Sequence, residues 1–303
     1  MVVVRARTRA VSYRARTRAV SHSTARREAT LLDSLFDDAA IFPPGNAPMD
    51  QAVRDHVQHC RSWYADYVGP FVCSDARLAE LDQVLGELGV ESFDVTVTVP
   101  EGPTTLRRAL DRINESGRIR LIAVETPIHG VAPAQIRDLT QSQGPPIPVY
   151  VEVPVTGLTD AVATDLARFG LRAKLRTGGA SAAAFPSERA LAAALAAVAA
   201  AGVAFKCTAG LHGAVRHRDP ATGFEHHGFL NIALAVRELR RNGAREEVEA
   251  VLADADADRI AYLTSELTDT EIAGVRSLFQ SFGTCSVGEP LSDLVHMKLV
   301  KSG

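Results

Sequence analysis

The chain has 303 residues, 46% of them hydrophobic, and a formal net charge of −3; it can bury a sizeable core in one large domain or two ordinary ones. No apolar run reaches the roughly 20 residues needed to cross a bilayer, and the alanine-rich stretch around 190–204 reads better as a buried helix followed by a strand. Residues 1–30 carry eight arginines and one glutamate, whereas the remainder holds 25 basic and 35 acidic residues, so the acidic body has no general affinity for nucleic acid.

The four cysteines (Cys60, Cys73, Cys207, Cys285) show no metal-type spacing and read as reduced thiols of a cytoplasmic protein. Residues 5–22 are a tandem nonapeptide, RARTRAVSY then RARTRAVSH. Its bias fits a basic arm, a transit peptide or a disordered extension. With two copies and no aromatic pattern, we read it as a disordered tail over 1–30. It lacks the continuous apolar core of a secretory signal.

From residue 31 onward, apolar strands alternate with amphipathic helices. The expected strands are AAIFPP (39–44), GPFVC (69–73), DVTVTVP (94–100), RLIAVETPI (120–128), PVYVEVP (148–154), RAKLRTGG (172–179), AFKCTAG (204–210) and SFGTCS (281–286). Helices are expected between them at 48–66, 76–89, 103–116, 157–169, 187–201 and 228–242. Eight such units predict a (β/α)8 TIM barrel over 31–303, a single α/β catalytic domain. A doubly wound sheet is the alternative, but no GxGxxG follows the first strand.

Strand parity sorts the side chains. Lys174 and Arg176 oppose Ala173 and Leu175; Lys206 and Thr208 oppose Phe205 and Cys207. Glu125 opposes Ile122 and Val124; Tyr150 and Glu152 oppose a valine face; Asp94, Thr96 and Thr98 oppose another. The apolar faces pack on helices, so the polar faces point into the barrel near the active-site end. A buried ion-pair network that merely fills the interior is the bland alternative.

The chain holds four lysines against 29 arginines, and two of the four are Lys174 and Lys206. Lysine, unlike arginine, can lose its proton near neutral pH and attack a carbonyl. On adjacent strands about 4.8 Å apart, two ammonium groups disfavour double protonation, so either amine could become the Schiff-base nucleophile. Glu125, Glu152 or Asp94 would move protons, with Tyr150 or Thr208 as relays. No cofactor is expected.

The stretches KLRTGG, FKCTAG and FGTCS resemble the last three strands of the class I deoxyribose-phosphate aldolase group. The resemblance covers residues 172–210 and 281–287. It implies a lyase with Lys174 as Schiff-base former and Lys206 as its pKa-lowering neighbour. Gly210, Gly283, Thr284 and Ser286 would then border a phosphate pocket. The chain departs from the group at Leu211, where a second glycine belongs, and in the long span 211–280 between strands seven and eight.

Residues 211–229 read as a long polar loop on the active-site side, with His212 as an acid/base candidate. A metal ligand set of His212 with His226 or His227 is the competing reading, weakened because adjacent histidines project apart. Glu125 and Glu152 end neighbouring strands and could instead hold a divalent ion in a metal-dependent lyase or isomerase; the simpler reading is that each neutralises Lys174 or Arg176. Asn46 reads as turn chemistry, and Asn231 as either site-lining or first-turn. Trp63, Tyr64 and Tyr67 read as core or as a subunit contact of a homo-oligomer. The leading expectation is a Schiff-base aldolase acting on a small carbonyl compound, phosphorylated or not. The alternatives are the metal lyase and a barrel that binds a small anion without turnover. No membrane partner is expected.

Overall fold

The computed structural model describes residues 30–102, 105–128, 131–141 and 147–301; the arginine-rich repeat lies outside them. Eight parallel strands close into a barrel: β1 (Phe36–Asp38), β2 (Val68–Ser74), β3 (Phe93–Thr98), β4 (Ile119–Pro127), β5 (Val149–Val153), β6 (Arg172–Arg176), β7 (Phe205–Thr208) and β10 (Phe279–Thr284). A two-stranded hairpin, β8 (His217–Arg218) with β9 (Glu225–His226), stands outside the barrel after β7. The (β/α)8 fold is therefore the one the alternation predicts.

The first strand is the main correction. It is Phe36–Asp38, not 39–44. The prolines at 43 and 44 cannot donate to a ladder, and the segment instead forms the turn at the barrel mouth. Asn46 stands at φ 47° in that turn and donates from Nδ2 to the Pro44 carbonyl, as turn chemistry alone requires. A three-residue strand offers little ladder to close a barrel. The seam is sealed by rings: Phe36 pairs in register with Phe282, their centroids 5.4 Å apart, and Phe229 stacks on Phe282 at 4.9 Å. All three are fully buried, each contributing about 1.5–3 kcal/mol by removal from water.

The helices cover the outside. They are α1 (Met49–His59), α2 (Leu78–Leu88), α3 (Leu106–Ser116), α4 (Pro133–Gln141), α5 (Asp160–Arg168) and α6 (Glu188–Ala200), followed by α7 (Phe229–Arg240), α8 (Arg245–Ala253), α9 (Ala257–Ser265), α10 (Asp269–Leu278) and α11 (Gly288–His296). The alanine-rich segment is α6, whose Leu191, Leu195 and Val198 lie on the buried face. Ser187 opens it by accepting from the Ala190 N–H, a side-chain cap for an otherwise orphaned donor. The long span before β10 is accounted for by the hairpin and four helices. Asn231, in the first turn of α7, ties them together. Its Oδ1 accepts from Arg216 N, and its Nδ2 donates to the Val251 and Asp254 carbonyls, each at 2.8 Å. That side chain is fully used in holding the hairpin to α7 and α8.

Around the tail end of α1, Trp63 is 45% exposed and makes edge contacts with Tyr64 and Tyr67. It therefore does not belong to the core.

Candidate active site

The register of the parallel ladder puts Lys174 beside Lys206 and Glu152 beside Lys174. All three alternate with apolar neighbours that face the helices, so they turn inward together. Glu125 enters from β4. The inward side chains build one buried network. Lys174 Nζ lies 2.7 Å from Glu125 Oε2 and 2.9 Å from Glu152 Oε2. Lys206 Nζ lies 2.5 Å from Glu125 Oε1 and also contacts Asp37 Oδ2. Glu125 thus holds one ammonium group with each oxygen.

Asp37 was not singled out in the sequence. Parity cannot be read over three residues, and the pair Asp37–Asp38 straddles the strand. Asp37 turns in to Lys206, while Asp38 turns out to His56 Nδ1 at 2.9 Å. The nearest available signal was the FDD triplet, with two acids directly after a buried apolar pair. Ser281, also unanticipated, donates to Asp37 Oδ2 at 2.8 Å.

Burial penalises every charge here, and the partners decide the outcome. Desolvation would lower Lys206, but Asp37 and Glu125 outweigh it and hold the ammonium well above its ordinary value. Desolvation would raise Glu125, yet the two lysines bring it down to about 2. Burial is the larger influence on Asp37, which stays raised against the pull of Lys206. Glu152 is lowered: Lys174 and Arg176 more than offset its desolvation. Two neighbouring lysines alone would share a proton deficit; with Glu125 between them, Lys206 stays a fixed cation.

Above this floor a cleft of about 1540 Å³ opens at the C-terminal ends of the strands. Lys174, Lys206, Glu125, Glu152, Arg176, Thr208, Gly210, Gly283 and His212 all line it, as the parity argument and the position of the loop after β7 require. Arg176 sits at the mouth, its side chain half exposed, with Nε 3.1 Å from Glu152 Oε1. His212 Nδ1 lies 3.0 Å from Glu289 Oε2, so the acid/base candidate is oriented from α11.

Other expected residues are not among the cleft lining. Tyr150 is buried lower in the barrel, where its hydroxyl accepts from Arg172 at 2.9 Å and its ring centroid lies 5.5 Å from Lys206 Nζ. Thr284 is buried and donates to the Ser286 carbonyl at 2.9 Å, and the Ser286 hydroxyl accepts from Glu289 N at 3.3 Å. Both are occupied in the turn into α11. Asp94 begins its strand and pairs with Arg120 on the surface, so it does not reach the lysines.

The polar loop after β7 is a hairpin, with His217 opposite His226 in its register. His226 faces the cleft, whereas His227 is fully buried and bonds the Pro186 carbonyl at 2.7 Å. The two diverge as adjacent residues on extended backbone must. Among the described residues, no group of three His, Cys, Asp or Glu side chains is placed to hold a metal ion. The space between Glu125 and Glu152 is taken by Lys174 Nζ.

No family model matches the chain. No curated protein matches it either. Several solved structures do. An aldolase, QR15, is 8% identical with a TM-score of 0.47, over 89% of this chain and 99% of that one. A dihydropteroate synthase from Xanthomonas albilineans is 12% identical at a TM-score of 0.44, over 91% and 96%. A putative dihydrodipicolinate synthase family protein from Coccidioides immitis is 15% identical at 0.34, over 89% and 96%. These are likenesses of fold, and the barrel itself rests on the strand order.

Proposed function

We propose that the protein is a lyase of the class I aldolase type that makes or breaks a carbon–carbon bond through a Schiff base on Lys174. The observation that carries the reading is the placement of Lys174 Nζ at the cleft floor between two carboxylates, with the second lysine locked as a cation beneath it.

The roles follow from the geometry. Lys174 attacks as the free amine, so its proton must first leave. Glu152, at 2.9 Å and partly open to the cleft, receives it; neutralising Lys174 removes one of the two charges that hold Glu152 ionised, so the two transfers are coupled. The amine adds to the carbonyl carbon, Glu152 returns its proton to the carbinolamine hydroxyl, which leaves as water, and the iminium restores the positive charge beside Glu125 while Glu152 is again a carboxylate. In the cleavage direction a base removes the β-hydroxyl proton, the carbon–carbon bond breaks, and its electron pair enters the iminium to give an enamine. Glu152, or His212 held by Glu289, is that base. Protonation of the enamine and hydrolysis release the second product. Lys206 contributes a fixed positive charge, and Glu125, ionised throughout, keeps both nitrogen atoms in place.

The metal-dependent alternative has less support, because each oxygen of Glu125 already faces an ammonium group. Borohydride reduction in the presence of a panel of short aldehydes, ketones and keto acids, followed by peptide mapping, tests the proposal. A reduced adduct on Lys174 that disappears in Lys174→Ala supports it. Folded protein with no adduct from any carbonyl, or one that maps to Lys206, overthrows it.

A further inference from the structure

We infer that the carbonyl substrate of this site carries an apolar or aromatic tail and no phosphate. The inference rests on the Schiff-base reading for the reacting end and on the upper cleft for the tail.

The charges come first. A phosphate-binding cleft needs a cation or free N–H groups to spare. Here each lysine and arginine of the lining already faces carboxylate. Lys206 is held by Asp37 and Glu125, Lys174 by Glu125 and Glu152, and Arg176 by Glu152. Arg216 reaches Glu188 at 2.5 Å and Glu225 at 3.4 Å. The rim adds Asp219, Glu289 and Asp293, with no lysine or arginine left over among the described lining residues. A dianion entering such a mouth meets net repulsion and would have to break an existing ion pair to be held.

The turn after β7 offers no better seat. Ala209 and Gly210 follow β7 with φ of 59° and 70°, and successive left-handed residues of this kind can present N–H groups to an anion. The ring of Phe185 packs against Gly210. Its Cε1 stands 2.7 Å from where a Cβ on Gly178 would lie and 2.8 Å from the corresponding point on Gly210. The glycines are therefore explained by close approach of two backbones under an aromatic ring. At Gly210, one of the residues that the resemblance to deoxyribose-phosphate aldolases sets beside a phosphate, this chain has placed a phenyl group.

That ring belongs to a wall. Phe185 lies 4.4 Å from the His226 ring and 5.5 Å from Phe224, centroid to centroid, and all three line the cleft. Burial, and then His217, lower the His226 pKa, so its ring is a neutral flat surface near pH 7. Phe42 and the adjacent Pro43 and Pro44 line the cleft from the loop after β1. An unsaturated or aryl tail stacks on such a surface, whereas a phosphate gains nothing there.

The test compares two aldehydes, phenylpropanal and glyceraldehyde phosphate, by borohydride trapping on the whole protein. Half-saturation for phenylpropanal should be at least about 10-fold lower, the discrimination that a few apolar groups in a pocket supply. Phe185→Ala should raise the half-saturation concentration for phenylpropanal relative to that for glyceraldehyde phosphate by about 10-fold; Phe224→Ala serves if the first variant does not fold. Tighter trapping of the phosphorylated aldehyde, or a preference indifferent to both substitutions, overturns the inference. If neither these aldehydes nor any other carbonyl of the panel is trapped, the Schiff-base proposal fails, and calorimetry with phenylpropanol and inorganic phosphate judges the tail independently. Binding of phenylpropanol that Phe185→Ala weakens upholds it; binding of phosphate alone, or of neither, overturns it.

Discussion

The floor of the barrel and the rim of its cleft are built on opposite principles. On the floor, two lysines and three carboxylates interlock, and Lys206 is 2% exposed. On the rim, Arg176, His212 and Glu289 meet in pairs that water reaches. Charges in the floor cannot be removed singly without stranding a partner in low dielectric. Charges at the rim are screened and individually weak. The difference shows where the two regimes meet: Lys174 stands at the boundary, anchored below by Glu125 and open above to the cleft.

The comparison can be broken most forcefully at that boundary. Lys174→Ala removes the proposed nucleophile, and turnover of the best carbonyl substrate should fall by at least about 10⁴-fold in protein whose circular dichroism is native; residual turnover within about 10-fold of the parent would remove Lys174 from the mechanism. Next comes the deeper lysine. Lys206→Met leaves Asp37 without its cation and Glu125 with Lys174 alone, and should cost about 3–5 kcal/mol of unfolding free energy, measured by urea titration. Adding Asp37→Asn should recover part of that loss. Strictly additive effects would show that the floor is not one network.

Glu152→Gln should lower kcat about 10²-fold, the scale of a proton-transfer group, and change stability much less than Lys206→Met. At the far rim, Arg176→Ala should shift stability by under about 1 kcal/mol.

Acid sharpens the contrast in another way. Glu125 is depressed to about 2 from 4.5 in the fold. Its contribution is therefore present above about pH 4.5 and lost as pH falls toward 2. The urea midpoint should drop through that window, and Glu125→Gln should flatten this part of the profile. A parent profile level from pH 4.5 to 2 would mean that Glu125 is not held by the two lysines.

The floor was largely legible in the sequence, and the rim only at Arg176 and His212. Five-residue strands such as RAKLR let a period of two assign Lys174 inward against Ala173 and Leu175. The rarity of lysine marked the same residue by a separate signal. Asp37 escaped because its strand has three residues and begins beside other apolar ones, so the mouth turn at 39–44 looked more strand-like than the strand. The hairpin escaped because each of its strands has two residues, too few to register as a pattern between His212 and Phe229. Phe185 sits in an alanine- and serine-rich connection with no periodicity, and only the approach of Gly178 to Gly210 reveals its place. Tyr150 was assigned to the correct face of its strand but to the wrong height, since parity fixes direction and says nothing of depth.

With four lysines in the chain, selective ¹⁵N-lysine labelling gives a spectrum simple enough to follow both site amines during reaction with a ¹³C-carbonyl substrate. The account predicts an imine carbon correlated with the Lys174 nitrogen while the Lys206 ammonium signal persists unchanged from pH 5 to 9. An imine on Lys206, or a Lys206 signal that titrates within that range, would contradict the division of labour between the two lysines.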